Sequence, residues 1–236
     1  MTDIRIPARR AKEGSRDYAY RVLRRNIMSL ILKPGDGIDE ARLSEMLEMS
    51  RTPVHEAITA LKNEWLVDIY PQKGTYVSRI DPAMVKEGYN ARILLEADLL
   101  RDIAGKISHE QMARLLDCMH RSENLSQEDI EEIDDFIVLD DELHHMMYQF
   151  GNREHTWMVL QGLMTHYNRL RYLDAIEKRT INAEVLRQHR LICSYLLMGL
   201  PEGINTLDVM RKHLESFKGT LLARMEDHPG YFAMEQ

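Results

Sequence analysis

Residues 33–74 constrain the fold of this chain more than any other stretch. K-P-G leads into I-D-E-A-R-L-S-E-M-L-E-M-S-R-T-P-V-H-E-A-I-T-A-L-K-N-E-W-L-V, and then into Y-P-Q-K-G-T-Y-V. Pro34 and Gly35 end a preceding helix, because proline cannot continue one and glycine tolerates turn geometry. Asp39 is placed to cap a second helix carrying Ala41, Leu43, Met46 and Leu47 inward. Glu48 and Met49 make the turn. Ser50 stands at the start of a third helix, with Pro53 in its first turn, where a missing N–H costs nothing. Val54, Ala57, Ile58 and Leu61 face inward there, leaving Arg51, Thr52, His55, Glu56 and Thr59 outward. Two β-rich pieces at 66–70 and 75–79 surround Pro71-Gln72-Lys73-Gly74. That order of helix, turn, capped helix and Gly-tipped hairpin describes a winged helix-turn-helix.

Upstream, Tyr18, Tyr20, Val22, Leu23, Ile27, Leu30 and Ile31 predict a first helix over 15–31, preceded by a basic arm containing Arg9, Arg10 and Lys12. Downstream, Asp81-Pro82 reads as a joint. It separates an N-terminal domain over 1–80 from an all-α antiparallel bundle over 81–236. Helices are expected at 83–105, 109–123, 127–150, 153–173, 179–199 and 203–226, with Ser108 and Gln111 as a capping box and Ser126 as a further cap.

Charge divides the same way. Residues 1–80 carry 14 Lys/Arg against 11 Asp/Glu, and the remainder 17 against 27. A basic front on an acidic back suits a nucleic-acid-binding head with a body of different purpose. Cys118 and Cys193 are far apart and outside any C-x-x-C, which suits a reduced, cytoplasmic setting. No run approaches 18 apolar residues and the N-terminus has no signal-like apolar core, so no membrane association is expected.

In a helix-turn-helix the second helix enters the major groove with its N-terminal residues at the base edges. Here these are Arg51, Thr52 and His55. Arg51 is the candidate for two-point contact with guanine. Thr52, Lys62 and Lys73 suit phosphate contacts, and Gly74 lets the wing tip approach the duplex closely. Arg42, on the helix before, completes the candidate DNA-facing set.

The run P-G-x-x-I-x-E-x-x-L-S-E-x-L-x-M-S-R-T-P-V-x-E-A-I-x-x-L with its wing glycine resembles the GntR family of bacterial transcription regulators across nearly all of 17–80. The family usually places an arginine that contacts DNA where this chain has His55. The resemblance implies an altered operator preference or a lower affinity at that position.

Four residues interrupt apolar stripes in the body. Asp140 and His144 share the stripe of Ile133, Ile137 and Met147, whereas Asp141 and His145 fall on a mainly polar face. His189 lies with Leu186, Ile192, Cys193 and Leu196, and His213 with Met210, Leu214 and Phe217. Each histidine stands 12 residues from Pro201, so antiparallel helices bring both rings to one height. Any one of the four also reads as a hydrogen-bonded core residue. Together, Asp140, His144, His189 and His213 form a candidate three-histidine, one-carboxylate site for a divalent metal ion.

D-D-E-L-H-H-M-M-Y-Q-F-G-N, Q-H-R-L-I and M-R-K-H-L resemble the all-helical FCD effector domain of the FadR-like branch of the same family. In many members the positions matching Asp140, His144, His189 and His213 bind a divalent metal beneath a pocket for a small carboxylate. Leu143 replaces the usual phenylalanine. A-R-I-L-L-E-A resembles the domain's first helix, and its Arg92 is either an effector ligand or a structural salt-bridge residue. His166 and Asn168 are further candidates for the cavity wall.

The resemblance implies a homodimeric repressor on a palindromic double-stranded DNA operator, released by a small organic or sugar acid. Zinc is the first expectation, and nickel or manganese also suits N/O ligands. Two alternatives stand beside it: a metal-dependent enzyme using open metal positions, and a scaffold with a silent metal site. Against the enzyme, the chain shows no nucleophile motif, no P-loop and no G-x-G-x-x-G.

Overall fold

The computed structural model describes residues 4–125, 130–178, 183–214 and 216–234. They group into two compact units. One comprises Met1–Val85, Gly162–Leu173 and Ala223–Gln236. The other comprises Lys86–Gln161 and Asp174–Leu222.

The first unit opens with α1 (Ser15–Met28), β1 (Gly37–Ile38), α2 (Glu40–Met46), α3 (Arg51–Asn63), β2 (Val67–Tyr70) and β3 (Gly74–Val77). The apolar faces of the three helices close on one core, in which Val22, Leu23, Ile27, Leu43, Val54, Ile58 and Leu61 are wholly buried. Asp39 accepts hydrogen bonds from the Ala41 and Arg42 amides and so caps α2. Ser50 occupies the N-cap position of α3 with extended backbone, but its hydroxyl makes no capping bond.

The wing has three strands where two were expected. Short β1 pairs antiparallel with β3, Gly37 opposite Tyr76, and β3 pairs with β2, Val67 opposite Val77 and Tyr70 opposite Gly74. Two residues are too few to show a strand period, so β1 is set by pairing alone. Gly74 has φ +120°, a conformation closed to residues with a Cβ.

The expected helix over 153–173 is two helices, α7 (Glu154–Leu163) and α8 (Thr165–Lys178). Gly162 weakens the helix there, and Thr165 Oγ1 bonds the Gly162 carbonyl and, at 3.1 Å, the Glu64 carbonyl at the end of α3. Arg169, one turn on, is fully buried. Its guanidinium donates to the Ser78 carbonyl at 2.7 Å, to Ser78 Oγ at 3.1 Å and to His166 Nδ1 at 2.9 Å. The same imidazole nitrogen accepts the Asp81 amide at 3.0 Å. His166 and Asn168 belong to the first unit, whereas the four candidate metal ligands belong to the second.

The second unit is helical. Asp81 caps α4 (Pro82–Ile103) through the Ala83 amide. Then come α5 (His109–Glu123), α6 (Ile130–Phe150), α9 (Ala183–Met198) and α10 (Thr206–Leu214); α11 (Ser216–Asp227) closes the helix series. Ser108 and Gln111 form the expected capping box. Ser126 lies outside the described residues, as does Glu215 between α10 and α11. Leu99, Leu100, Leu115, Met147, Ile192, Leu196 and Met210 are wholly buried and supply the core. Gly105 and Gly199 let the ends of α4 and α9 meet backbone to backbone, since a Cβ on Gly105 would stand 3.0 Å from the Gly199 Cα.

Candidate metal centre and DNA-reading surface

The 3.6-residue period turns Asp140 and His144 of α6 into the bundle and leaves Asp141 and His145 half-exposed, as the stripe predicts. His189 of α9 and His213 of α10 meet them there. His144, His189 and His213 are all buried, and one ring nitrogen from each lies within 4.8 Å of the others. His144 Nε2 stands 3.1 Å from His213 Nε2, and the His189 and His213 ring centroids are 4.8 Å apart. Asp140 joins at one side, its Oδ1 3.2 Å from His189 Nε2.

Behind these residues lies a layer that the stripes did not single out. Glu96 of α4 is fully buried. One of its carboxylate oxygens is 2.9 Å from His144 Nδ1, and the other accepts Arg92 Nε at 2.8 Å. Arg92 Nη2 lies 3.7 Å from Asp140 Oδ2, so this wholly buried guanidinium is flanked by two carboxylates. Gln188 Oε1 lies 3.3 Å from His213 Nδ1. The signals were present but quiet: Glu96 is one helical turn from Arg92, and Gln188 directly precedes His189.

Burial holds the His144 pKa below its ordinary value, and the Arg92 charge adds to this against the opposing pull of Glu96. Burial, then the neighbouring His189 and His144, take His213 well below. Burial by itself would raise Glu96, but Arg92 and His144 outweigh it and keep the group ionised. Imidazoles held neutral, as at His144 and His213, offer the lone pairs a divalent ion requires. Neighbouring ligands of a tetrahedral zinc lie about 3.3–3.4 Å apart, given bonds of about 2.0–2.1 Å. The 3.1 and 3.2 Å separations here are close to that edge length. The residues fit a metal ion, which would bring Lewis acidity and open coordination positions for an oxygen ligand.

A cleft of about 340 Å³ between α9 and α10 touches this centre at His213, with Gln188 also in its wall and Arg187 and Lys212 among its polar residues.

In the first unit the candidate DNA-facing residues are accessible. Arg42, Arg51, Thr52, His55, Lys73 and Gly74 are all exposed. His55 Nδ1 lies 3.2 Å from a Glu40 carboxylate oxygen.

Residues 16–77 match the model of the gntR family of bacterial regulatory proteins, and residues 87–216, more than half the chain, match the FCD domain. The chain belongs to the GntR family, with an FCD domain. Among its relatives, the HTH-type transcriptional repressor RspR of Escherichia coli K12 is 29% identical over 220 residues, covering 92% of each chain. LutR of Bacillus subtilis, an HTH-type transcriptional regulator, is 24% identical over 84% of this chain and 96% of its own. A GntR regulator from Rhodococcus sp. RHA1 shares the fold with TM-score 0.72 at 17% identity, covering 88% of this chain and 97% of its own. E. coli McbR/YncC does so with TM-score 0.69 at 17% identity, covering 92% and 99%. This GntR protein is thus a transcription regulator rather than an enzyme. Among the described residues, no helix is long and apolar enough to cross a membrane.

Proposed function

We propose that this GntR regulator is a cytoplasmic repressor whose hold on DNA is set by a small organic or sugar acid bound near a divalent metal ion. The observation that carries the reading is the convergence of three buried imidazoles from three different helices, beside Asp140. His144, His189, His213 and Asp140 are the ligands, with zinc the first candidate and nickel or manganese also suited to the set. Arg92 is the candidate contact for the acid group of the effector, beside the ligand Asp140, and the cleft at His213 has room for a small molecule. Repression is taken from the E. coli relative, whose name states it.

On the DNA side, residues 1–80 are the reader and 81–236 the effector and dimerisation domain. Arg51, Thr52 and His55 enter the major groove, and Arg42, Lys73 and Gly74 meet the backbone. A homodimer sets two such helices about 34 Å apart on a palindromic operator. An effector shifts this equilibrium only through unequal affinity for the DNA-competent and DNA-incompetent arrangements.

The deciding experiment measures operator affinity of the metal-loaded protein across a panel of small organic and sugar acids that raise its melting temperature. At least one acid is expected to weaken DNA binding. Acids that stabilise the protein yet leave operator affinity unchanged throughout the panel would sink the proposal.

A further inference from the structure

The polar groups behind the histidines fix which ring nitrogen carries the proton. A carboxylate only accepts hydrogen bonds. Glu96 is paired with Arg92 on one oxygen and sets the other 2.9 Å from His144 Nδ1, where a second acceptor would be repelled, so that nitrogen bears the hydrogen and Nε2 of the same ring is a bare lone pair. Gln188 does the same on the other side. Its Nε2 donates to the Glu184 carboxylate at 2.6 Å, which fixes the amide orientation and aims Oε1 at His213 Nδ1, 3.3 Å away. His213 Nε2 is then also bare. The two bare nitrogens face each other at 3.1 Å in a fully buried site, where two acceptors cannot bond and their lone pairs repel.

We propose that Glu96 and Gln188 are positioning residues that lock His144 and His213 into the tautomer with both Nε2 lone pairs directed at one cation site. Arg92 belongs to the same device, since its Nε takes the other oxygen of Glu96 and holds the carboxylate in place. Partners of this kind fix ring orientation and raise ligand basicity. A cation between the rings reconciles the arrangement. The inference rests on the metal reading above and adds the reason the site favours an ion.

The test is zinc affinity by competition with a chromophoric chelator, for wild type, Glu96→Gln and Gln188→Leu, with long-range 1H–15N NMR of the histidine rings. Both variants keep every ligand. Each is expected to bind zinc about 10–100-fold more weakly, and zinc-loaded wild type is expected to show Nδ1–H on His144 and His213. Gln188→Leu keeps the test open should loss of the Glu96 charge beside Arg92 prevent folding. Wild-type zinc affinity in both variants, or zinc held through Nδ1 of either ring, overturns this inference and leaves the metal reading standing. A wild-type chain that takes up no divalent ion overturns both.

Discussion

His55 Nδ1 lies 3.2 Å from a carboxylate oxygen of Glu40, linking the recognition helix α3 to α2 across the turn. The side chain is nonetheless 63% exposed, so it stays available to DNA. A histidine here is shorter than the arginine usual in the family, and Glu40 competes for it. The His55→Arg variant is expected to bind DNA with a log K versus log salt slope steeper by about 0.9, one added phosphate contact. Fluorescence anisotropy on an operator fragment across a salt series measures this. An unchanged slope would mean that arginine at position 55 gains no phosphate contact.

Arg51 starts α3, is exposed, and takes no part in the buried core of the head. Arg51→Ala is expected to cost about 1–3 kcal/mol of discrimination between operator and random DNA, with the thermal unfolding midpoint unchanged. Equal discrimination in a competition gel shift would contradict the assigned readout.

His166 predicts a pH effect on stability. Burial, then the Arg169 charge, push its pKa down to about 3 from the usual 6.5. Between those values the unfolded chain binds the extra proton, so stability falls as pH drops below about 6.5. The loss from this group at pH 5.5 is about 1.4 kcal/mol. Urea unfolding at pH 7.5 and 5.5 should show His166→Asn losing less than wild type by that amount. Identical losses in the two chains would contradict it.

Gly151 ends α6 against α4. A Cβ built there would clash with Leu99 Cδ1, and Leu99 is wholly buried. Gly151→Ala is expected to destabilise the protein by about 1–3 kcal/mol through overpacking, read as a lower urea midpoint. A midpoint within error of wild type would mean that the neighbouring side chains yield freely.

Metal removal should be visible in stability. An ion held only by the folded chain stabilises it by about 2.7 kcal/mol at 100 times its Kd. Chelator treatment should therefore lower the melting temperature, and zinc should restore it. His213→Ala is expected to abolish that response. A response that survives in the variant would place the ion elsewhere.

The DNA-reading head was nearly all legible in residues 33–74 because its signals are local. Asp39 caps its own helix, Pro53 sits in a first turn, and Gly74 takes φ +120° at a tight tip. Short β1 escaped notice because it exists only through pairing with β3. Ser50 stands at the expected position without the expected bond, since its backbone and not its hydroxyl sets the turn. The helix expected over 153–173 broke at Met164 because Thr165 bonds the end of α3, a partner about a hundred residues away.

In the body, periodicity by itself determined that Asp140, His144, His189 and His213 face inward, because a helix repeats its face every 3.6 residues. It set Asp141 and His145 apart by the same rule. Only the tertiary structure decided that three of the four converge, that Arg92 is held by Glu96 and Asp140, and that Glu96 and Gln188 stand behind the rings. Which helix faces meet is a matter of packing between segments far apart in sequence. Spacing along one helix carries no record of the side chain that approaches from another.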